Sequence, residues 1–303
     1  MSSFVRLSSL HRLSRSWPKA AGAVAAPRPA SSVAFSLARP YSAAAVTENT
    51  DAHTAGSEFY IQGRPSTSSH GIPVNSNWKA IEDQPLTGKS VHDLLENAIP
   101  AVRHQNFLSK EECSKLVDII QEHGIGSYNQ GVVFPPLGSV GISQFDLDKE
   151  AYLSGVDAAS SLQKRFKQEA GVDVVGRVAA VLQEATGIET RVAREDGRPY
   201  FAGMLRVVSN YIQIHSDYGP YDGPDWEIGH VTGQLSWNVL LRKVHGGDTI
   251  IYDRPWNGDA DNAAFRKAFP GYAFQPSAVQ GRICKALRAI EGDLTFFNSS
   301  PVI

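Results

Sequence analysis

A histidine and an aspartate separated by one residue, His215 and Asp217, are the side chains of this sequence best suited to hold a metal ion. A β-branched and aromatic run containing Tyr211, Ile212 and Ile214 precedes them and predicts a strand that carries the imidazole to its end. Imidazole and carboxylate together suit a borderline divalent metal, above all non-haem Fe(II), which proteins hold with two histidines and one carboxylate. The pair therefore predicts a metal centre, and the plainer alternative is a structural histidine beside a turn aspartate.

The sequence after Asp217 adds further signals in a fixed order. A loop rich in glycine and proline comes first, then a β run over 233–241, then a Gly-Gly turn into a strand over 246–252. The last piece, GDLTFFNS at 292–299, predicts another strand. This order resembles the Fe(II)- and 2-oxoglutarate-dependent oxygenases, in which an H-x-D motif is followed much later by a second histidine. The segment NFLSKEEC at 106–113 resembles the entry to the prolyl-hydroxylase-like branch of that superfamily.

The resemblance implies a fold, a cofactor and a reaction. It implies a double-stranded β-helix (jelly roll) with Fe(II) held by His215 and Asp217, 2-oxoglutarate as cosubstrate and O₂ as oxidant. GQLSWNVLL at 233–241 and YDRPW at 252–256 resemble a subgroup that acts on free amino acids or similar small polar molecules and contains hydroxylases and halogenases. The halogenases have glycine or alanine in place of the carboxylate, so Asp217 favours hydroxylation. Asp253, Arg254 and Trp256 either sense a charged substrate or form a turn that closes the hairpin.

The second metal histidine that the resemblance implies would fall about where the sequence reaches Ile303. We expect a truncated sequence, whose full-length form continues with a histidine almost at once and with a basic anchor for the cosubstrate beyond it. Within the sequence, His230, His245 and Glu227 are the substitutes for the missing ligand. Two other interpretations stay open: a catalytically inactive jelly-roll binding protein, and a cupin-like metal enzyme that needs no cosubstrate.

Alternation along the strands predicts the walls of the pocket. If His215 faces the interior, Tyr211 and Gln213 do so too. In the next run one face is apolar and should pack on the N-terminal helices, with Leu235, Trp237, Val239 and Leu241. The other face is polar and should line the cavity, with Gln234, Ser236 and Asn238. Tyr211, Gln213 and Asn238 are thus candidate contacts for cosubstrate or substrate, unless they are ordinary polar residues of a sheet.

The order of the predicted elements indicates an α+β protein. A short strand at 101–103 precedes a helix that begins with a capping box, formed by Ser109 and Glu112, and ends at Gly124. Residues 149–187 are predicted to be mostly helical with a break near Gly171, and short strands follow from Arg191 onward. Helices first and strands later, without βαβ alternation, predict an antiparallel sandwich or barrel backed by N-terminal helices. With the sequence ending at Ile303, the last strands of a jelly roll would be missing.

The N-terminal region has the composition of an organellar presequence. Residues 1–41 contain six basic residues and no acidic one. Apolar residues recur every three to four positions from Phe4 to Trp17, which predicts a basic amphipathic helix. We predict a mitochondrial presequence read by the import machinery and a matrix location, with a disordered basic tail as the alternative. Residues 42–98, rich in Ser, Thr, Gly and Pro, predict a linker and an arm lying over the domain. The oxygenase domain is assigned to 99–303.

The remaining composition excludes several classes. Without the presequence the chain has 23 basic and 31 acidic residues, a net charge of −8, which argues against a general nucleic-acid binder. Cys113 and Cys284 match no zinc or redox spacing. No apolar run is long enough to span a bilayer. The partners expected are therefore O₂ and a small-molecule substrate.

Overall fold

Helices dominate the first half of the described chain and short strands dominate the second. The computed structural model describes residues 76–131, 133–144, 147–243 and 246–300, together with the backbone of Val5–Leu7. The α-helices are α1 (Gly88–Leu95), α2 (Lys110–His123), α3 (Lys149–Ala159), α4 (Ser161–Arg165), α5 (Val174–Thr186), α6 (Gly219–Asp222) and α7 (Gly258–Phe265). A π-helix spans Phe166–Ala170, and 3₁₀-helices span Glu227–His230 and Pro276–Val279.

The described strands form five separate sheets. They are β1 (Val5–Leu7), β2 (Gln84–Pro85), β3 (Val102–His104), β4 (Gly126–Ser127), β5 (Gly138–Val140), β6 (Thr190–Val192), β7 (Arg194–Glu195), β8 (Arg198–Pro199), β9 (Leu205–Val207), β10 (Leu235–Val239), β11 (Thr249–Tyr252), β12 (Cys284–Leu287) and β13 (Leu294–Asn298). The largest sheet has the order β10-β13-β3-β2. The others are β4-β5-β9 and the pairs β1-β6, β7-β8 and β11-β12.

The largest sheet presents one apolar face to the helices. β10 pairs antiparallel with β13, with Trp237 opposite Phe296. Side chains alternate across a strand, so Leu294 and Phe296 share one face of β13 and pack with α1, α2 and α5 in the main hydrophobic cluster. The four apolar residues predicted for this role, Leu235, Trp237, Val239 and Leu241, pack against the same cluster. That prediction is confirmed.

The opposite face of β13 packs on the smaller sheet. Phe297 forms a cluster with Ile251 of β11 and Leu287 of β12, and Trp78 and Ala101 complete it. Both sides of β13 are therefore covered, and all five of its residues are buried. Because β13 is packed on both faces, a segment that is hydrogen-bonded to its end is held in a fixed position.

Local signals in the first half were predicted correctly. Ser109 accepts a hydrogen bond from the Glu112 amide at 3.1 Å, and the Ser109 amide donates to the Glu112 carboxylate at 2.9 Å, which completes the capping box. The helix ends at Gly124, whose φ of 87° favours glycine. The predicted break near Gly171 lies between the π-helix and α5, and Gly171 has a φ of 72°.

Two expectations about the N-terminal part need correction. Residues 76–98, assigned to a linker and arm, contain α1, and Trp78 is buried in the core. The signal was missed because α1 has only eight residues, with Val91 and Leu94 as its buried apolar positions. In the expected presequence, Val5–Leu7 pairs antiparallel with Thr190–Val192 as a strand and not as part of a helix, because β6 offers its backbone groups to a partner strand. The rest of the presequence lies outside the described residues.

The described part of the chain is thus a mixed α and β structure compatible with a jelly roll. Its strands do not close into a barrel within the described ranges. None of the described helices has the length and apolar character needed to cross a membrane.

Candidate metal centre

The segment that carries His215 and Asp217 forms no strand. β9 ends at Val207, and residues 208–217 have no regular structure. The Phe274 amide donates to the Ile214 carbonyl at 2.7 Å, and the Asp217 amide donates to the Ser299 carbonyl at 3.1 Å. The prediction that a strand carries His215 to its end is therefore wrong. Single bonds to separate segments hold this stretch, and a ladder needs a run of bonds to one partner.

The imidazole of His215 is oriented by the backbone carbonyl of Gln213, two residues before it. Its Nδ1 lies 2.8 Å from the Gln213 carbonyl oxygen. Because a carbonyl only accepts, Nδ1 carries the proton, which leaves the Nε2 lone pair available on the other side of the ring. Histidine metal ligands characteristically donate their second ring nitrogen to a carbonyl or a carboxylate in this way.

Nε2 of His215 faces the carboxylate of Asp217. Nε2 and Oδ2 are 3.8 Å apart, and the two side chains are 13% and 15% exposed. Metal bonds to nitrogen and oxygen are about 2.0–2.2 Å long, so two donors on one ion are separated by at most about twice that length. The separation is below this upper limit, so a single ion can contact both donors.

Burial also holds His215 in its metal-binding form. It lowers the pKa of the imidazole to about 4, although the negative charge of Asp217 acts in the opposite direction. A neutral imidazole has a lone pair that a metal can take, whereas a protonated one must first lose its proton. The donor set is thus an uncharged nitrogen and an anionic oxygen, which suits Fe(II).

The described residues supply two ligands and not a complete set. Within the described ranges, no three His, Cys, Asp or Glu side chains are grouped so that they could hold a metal ion. Glu227 and His230 lie in the 3₁₀-helix after the motif and do not join His215 and Asp217 in such a group. His245, the other substitute considered, lies outside the described residues.

Gln234, which sequence reasoning placed only on the polar face of β10, contacts the metal motif. Its side chain is 5% exposed. Its Nε2 donates to the Asp217 carbonyl and to Ser299 Oγ, both at 2.9 Å, and its Oε1 accepts from the Gly219 amide at 2.7 Å. Ser216 Oγ donates to the Ser299 and Ser300 carbonyls at 3.3 and 3.0 Å. Alternation placed Gln234 on the correct face, but no local pattern identified its partners.

Tyr272 supports the other side of the motif. Its ring stands edge-on to the imidazole of His215, with ring centroids 5.6 Å apart. Its hydroxyl accepts from the Gln213 amide at 3.3 Å and donates to the Phe134 carbonyl at 3.4 Å. Burial raises the pKa of this phenol, so it remains a hydrogen-bond donor. Tyr272 thus contacts both His215 and the peptide whose carbonyl orients it.

The three predicted cosubstrate contacts lie in different surroundings. Tyr211 is 54% exposed. Gln213 uses its side chain to contact the Phe134 carbonyl at 2.8 Å and Lys267 Nζ at 2.5 Å. Asn238 lies on the same face of β10 as the buried Gln234 and Ser236, but its side chain is exposed. Tyr211 and Gln213 do not share a strand with His215, so alternation does not place their side chains beside it; their role as cosubstrate contacts stays a prediction.

The segment YDRPW is mainly structural in its first part. Asp253 accepts hydrogen bonds from Ser76 Oγ and from the Asn77 amide. Arg254 binds Asp261 in a bidentate ion pair, at 2.7 and 2.6 Å, and both residues are buried. These contacts favour the turn over the substrate sensor for Asp253 and Arg254.

Trp256 differs from its neighbours because it is part of an aromatic wall beside the motif. Its ring lies 4.5 Å from that of Tyr221 and 6.4 Å from that of Tyr218, which follows Asp217 directly. Its backbone amide donates to the Ser300 carbonyl at 3.3 Å. The indole N–H is buried and has no hydrogen-bond partner in the described part of the chain. An orphaned buried donor is a polar group available to a bound molecule.

Comparison with known proteins finds one matching family and two similar proteins. The sequence model of a family described as carrier-protein-independent halogenase WelO5 matches residues 77–302. The chain is 48% identical over 170 residues to leucinostatins biosynthesis cluster protein S of Purpureocillium lilacinum. The aligned region covers 55% of this chain and 70% of that protein. It is also 25% identical over 240 residues to L-gamma-glutamyl-L-propargylglycine hydroxylase of Streptantibioticus cattleyicolor. In this case the aligned region covers 75% of this chain and 85% of that protein.

Proposed function

The chain belongs to the family of the carrier-protein-independent halogenase WelO5, and on that premise we propose that it hydroxylates a small, free metabolite of the amino-acid type. The family consists of Fe(II)- and 2-oxoglutarate-dependent oxygenases, so these are the cofactor and cosubstrate. We also propose that the described sheets are parts of a jelly roll. The choice of hydroxylation over halogenation rests on one residue, Asp217.

The position of the Asp217 carboxylate is the observation that supports hydroxylation over halogenation. Halogenases of this superfamily have glycine or alanine there, which leaves a coordination position for the halide. Here the carboxylate lies 3.8 Å from His215 Nε2 and is mostly buried. A carboxylate bound to the iron at this position would exclude a halide from it by volume and by like charge. These observations support transfer of a hydroxyl group.

The residues of this chain would bind the metal and the substrate and orient them, and the iron cofactor with its cosubstrate would supply the oxidation. Iron with 2-oxoglutarate and O₂ supplies an oxidant that replaces a substrate C–H by C–OH, while 2-oxoglutarate becomes succinate and CO₂. His215 Nε2 and one oxygen of Asp217 would hold the metal. The Gln213 carbonyl keeps the lone pair of His215 directed toward it. The rings of Tyr218, Tyr221 and Trp256 would exclude water beside the reacting atoms.

Three observations support a small free substrate. The family description specifies independence of a carrier protein. One relative is named a hydroxylase of a dipeptide, L-gamma-glutamyl-L-propargylglycine. The buried indole N–H of Trp256 offers a donor suited to a carboxylate or an amide oxygen. We therefore propose a free amino acid or a small peptide-like amino-acid derivative.

The test is product analysis with the full chain. The protein is loaded with Fe(II) without oxygen, mixed with 2-oxoglutarate, chloride and a panel of free amino acids and γ-glutamyl dipeptides, and then exposed to air. We expect 2-oxoglutarate-dependent insertion of one oxygen atom into a panel member. Asp217→Gly serves as the matched variant, because it restores the space that a halide would need.

Each other outcome favours a different function. A chlorinated product from the unmodified chain would contradict hydroxylation and favour the second candidate, a halogenase, which the family description supports. Iron binding without 2-oxoglutarate turnover would favour the non-catalytic binding protein, and turnover without 2-oxoglutarate would favour the cupin-like enzyme. Location in the mitochondrial matrix also remains a proposal; it predicts that residues 1–41 direct a fluorescent fusion to mitochondria.

A further inference from the structure

The carboxamide of Gln234 joins three segments that converge at the metal motif. Gln234 directly precedes β10 and is therefore fixed to the largest sheet. Its three hydrogen bonds reach the Asp217 carbonyl, the Gly219 amide and the hydroxyl of Ser299, which follows β13. Because its donors and acceptor are hydrogen-bonded, burial of this amide costs little free energy, whereas its loss would leave buried partners unsatisfied.

These bonds fix the backbone of Asp217 from both sides. The amide of Asp217 donates to the Ser299 carbonyl at 3.1 Å, and its carbonyl accepts from Gln234 Nε2 at 2.9 Å. The two peptide groups flanking the Asp217 Cα are thus tied to the ends of two paired strands. These two bonds fix the position of the Cα from which the carboxylate projects.

Glutamine is the residue type that this position requires. The Asp217 carbonyl needs a donor, and the Gly219 amide needs an acceptor. A primary amide offers both at the same distance from its Cα, whereas glutamate offers only acceptors and leucine offers neither. Either replacement leaves buried backbone groups without partners.

We propose that Gln234 is the positioning residue for Asp217 and thereby sets the affinity of the site for its metal. The proposal rests on the proposed function, because it takes Asp217 as a metal ligand. Gln234 bonds to the backbone that follows the Asp217 Cα, at the Asp217 carbonyl and the Gly219 amide, and would not contact the metal itself. Loss of an outer-shell partner of this kind typically lowers metal affinity or activity by about 10- to 100-fold.

The experiment measures metal binding directly, by titrating the full chain with Co(II) and following the absorbance of the bound ion. Gln234→Leu and Gln234→Glu are compared with Gln163→Leu. Gln163 is a matched control because its Nε2 donates to two backbone carbonyls, those of Ala202 and Gly203, at 3.3 and 3.0 Å. It has no hydrogen bond to the segment with His215 and Asp217 among those that the structure describes.

We expect Co(II) affinity to fall about 10- to 100-fold in both Gln234 variants and to stay within about twofold of the parent in Gln163→Leu. The melting temperature of the metal-free protein should fall in all three. A Gln234 variant with a lower melting temperature and unchanged affinity would overturn the proposal, since its role would be structural only.

The remaining outcomes are also decisive. If Gln234→Leu does not fold, Gln234→Glu, which keeps the size of the side chain and the bond to Gly219, provides the same measurement. Loss of the fold in both variants would assign Gln234 to the fold alone and overturn the proposal. If the unmodified chain binds no Co(II) or Fe(II), the proposed function itself fails; if it binds and the variants bind equally well, only the positioning role fails.

Discussion

Removal of Asp261 should destabilise the protein far more than removal of an exposed partner in an ion pair. Asp261 binds both terminal nitrogens of Arg254, at 2.7 and 2.6 Å, and also accepts from the Asn257 amide at 2.7 Å. The side chains of Arg254 and Asp261 are 11% and 9% exposed. The guanidinium also lies over the ring of Phe265, 5.2 Å from its centroid. Asp261→Ala would leave a buried positive charge without its anion.

The size of the effect follows from that burial. Breaking a buried ion pair by removing one partner costs about 3–5 kcal/mol, whereas replacing both partners by apolar residues of similar volume is often neutral. A domain is stable by only about 5–15 kcal/mol, so the single change is severe. We therefore expect Asp261→Ala to lower the free energy of unfolding by about 3–5 kcal/mol and the double variant Arg254→Met/Asp261→Leu to lower it much less.

Urea denaturation measures these free energies. The control is Asp157→Ala, because Asp157 pairs with Lys164 at 2.6 Å but is 91% exposed. Exposed pairs contribute about 0–1 kcal/mol. If Asp261→Ala costs no more than this control, the reasoning fails. The interpretation of Arg254 as a substrate sensor would then be favoured over its role in the turn.

The pH dependence provides an independent check of the same pair. The hydrogen bonds from Arg254 lower the pKa of Asp261 below its ordinary value of 3.8, although burial partly opposes them. A carboxyl group with a lowered folded-state pKa contributes stability above its unfolded pKa and loses it as the pH falls through the folded one. The difference between the parent and Asp261→Ala should therefore be fully present at neutral pH and shrink below pH 3.8.

Three further predictions test the core, a helix terminus and the metal. Phe296 is 1% exposed between the largest sheet and the helices, so Phe296→Ala should cost about 3–5 kcal/mol of unfolding free energy by urea titration; a cost below about 1 kcal/mol would contradict this packing. Ser109→Ala removes half of a capping box and should cost about 1 kcal/mol by the same measurement, while Lys110→Ala at the next position should change stability by less than 0.5 kcal/mol. A chelator should abolish 2-oxoglutarate turnover and Fe(II) should restore it, whereas His215→Ala should bind Fe(II) too weakly for the added metal to restore turnover.

The sequence predicted best those features that are set by neighbouring residues. The alternation from Leu235 to Leu241 identified the face of β10 that packs on the helices, because the side-chain period of a strand is a local property. The capping box at Ser109 involves residues three positions apart and was equally visible. The helix over 88–95 was missed because so few of its positions are buried and apolar.

The supports of the metal motif could not be predicted in the same way. Residues 208–217 have strand-like composition, yet their hydrogen bonds go one at a time to separate segments, among them Phe274 and Ser299. Gln234 lies 15 to 65 residues from the groups that it binds. Such contacts depend on how the sheets come together, and composition carries no information about that.

The two ligands differ in how the fold holds them. Both peptide groups of Asp217 are bonded to residues at the ends of β10 and β13, which pair with each other in the largest sheet; β13 is buried along its whole length, and β10 is the edge strand of the described sheet. His215 is held by the carbonyl of Gln213, whose amide is bonded to Tyr272 in a loop outside that sheet. The backbone of Asp217 is therefore tied to two paired strands, and the imidazole is held by a chain of local contacts. Since halogenases of this superfamily lack the carboxylate, the attachment of Asp217 to the largest sheet supports the proposed hydroxylation.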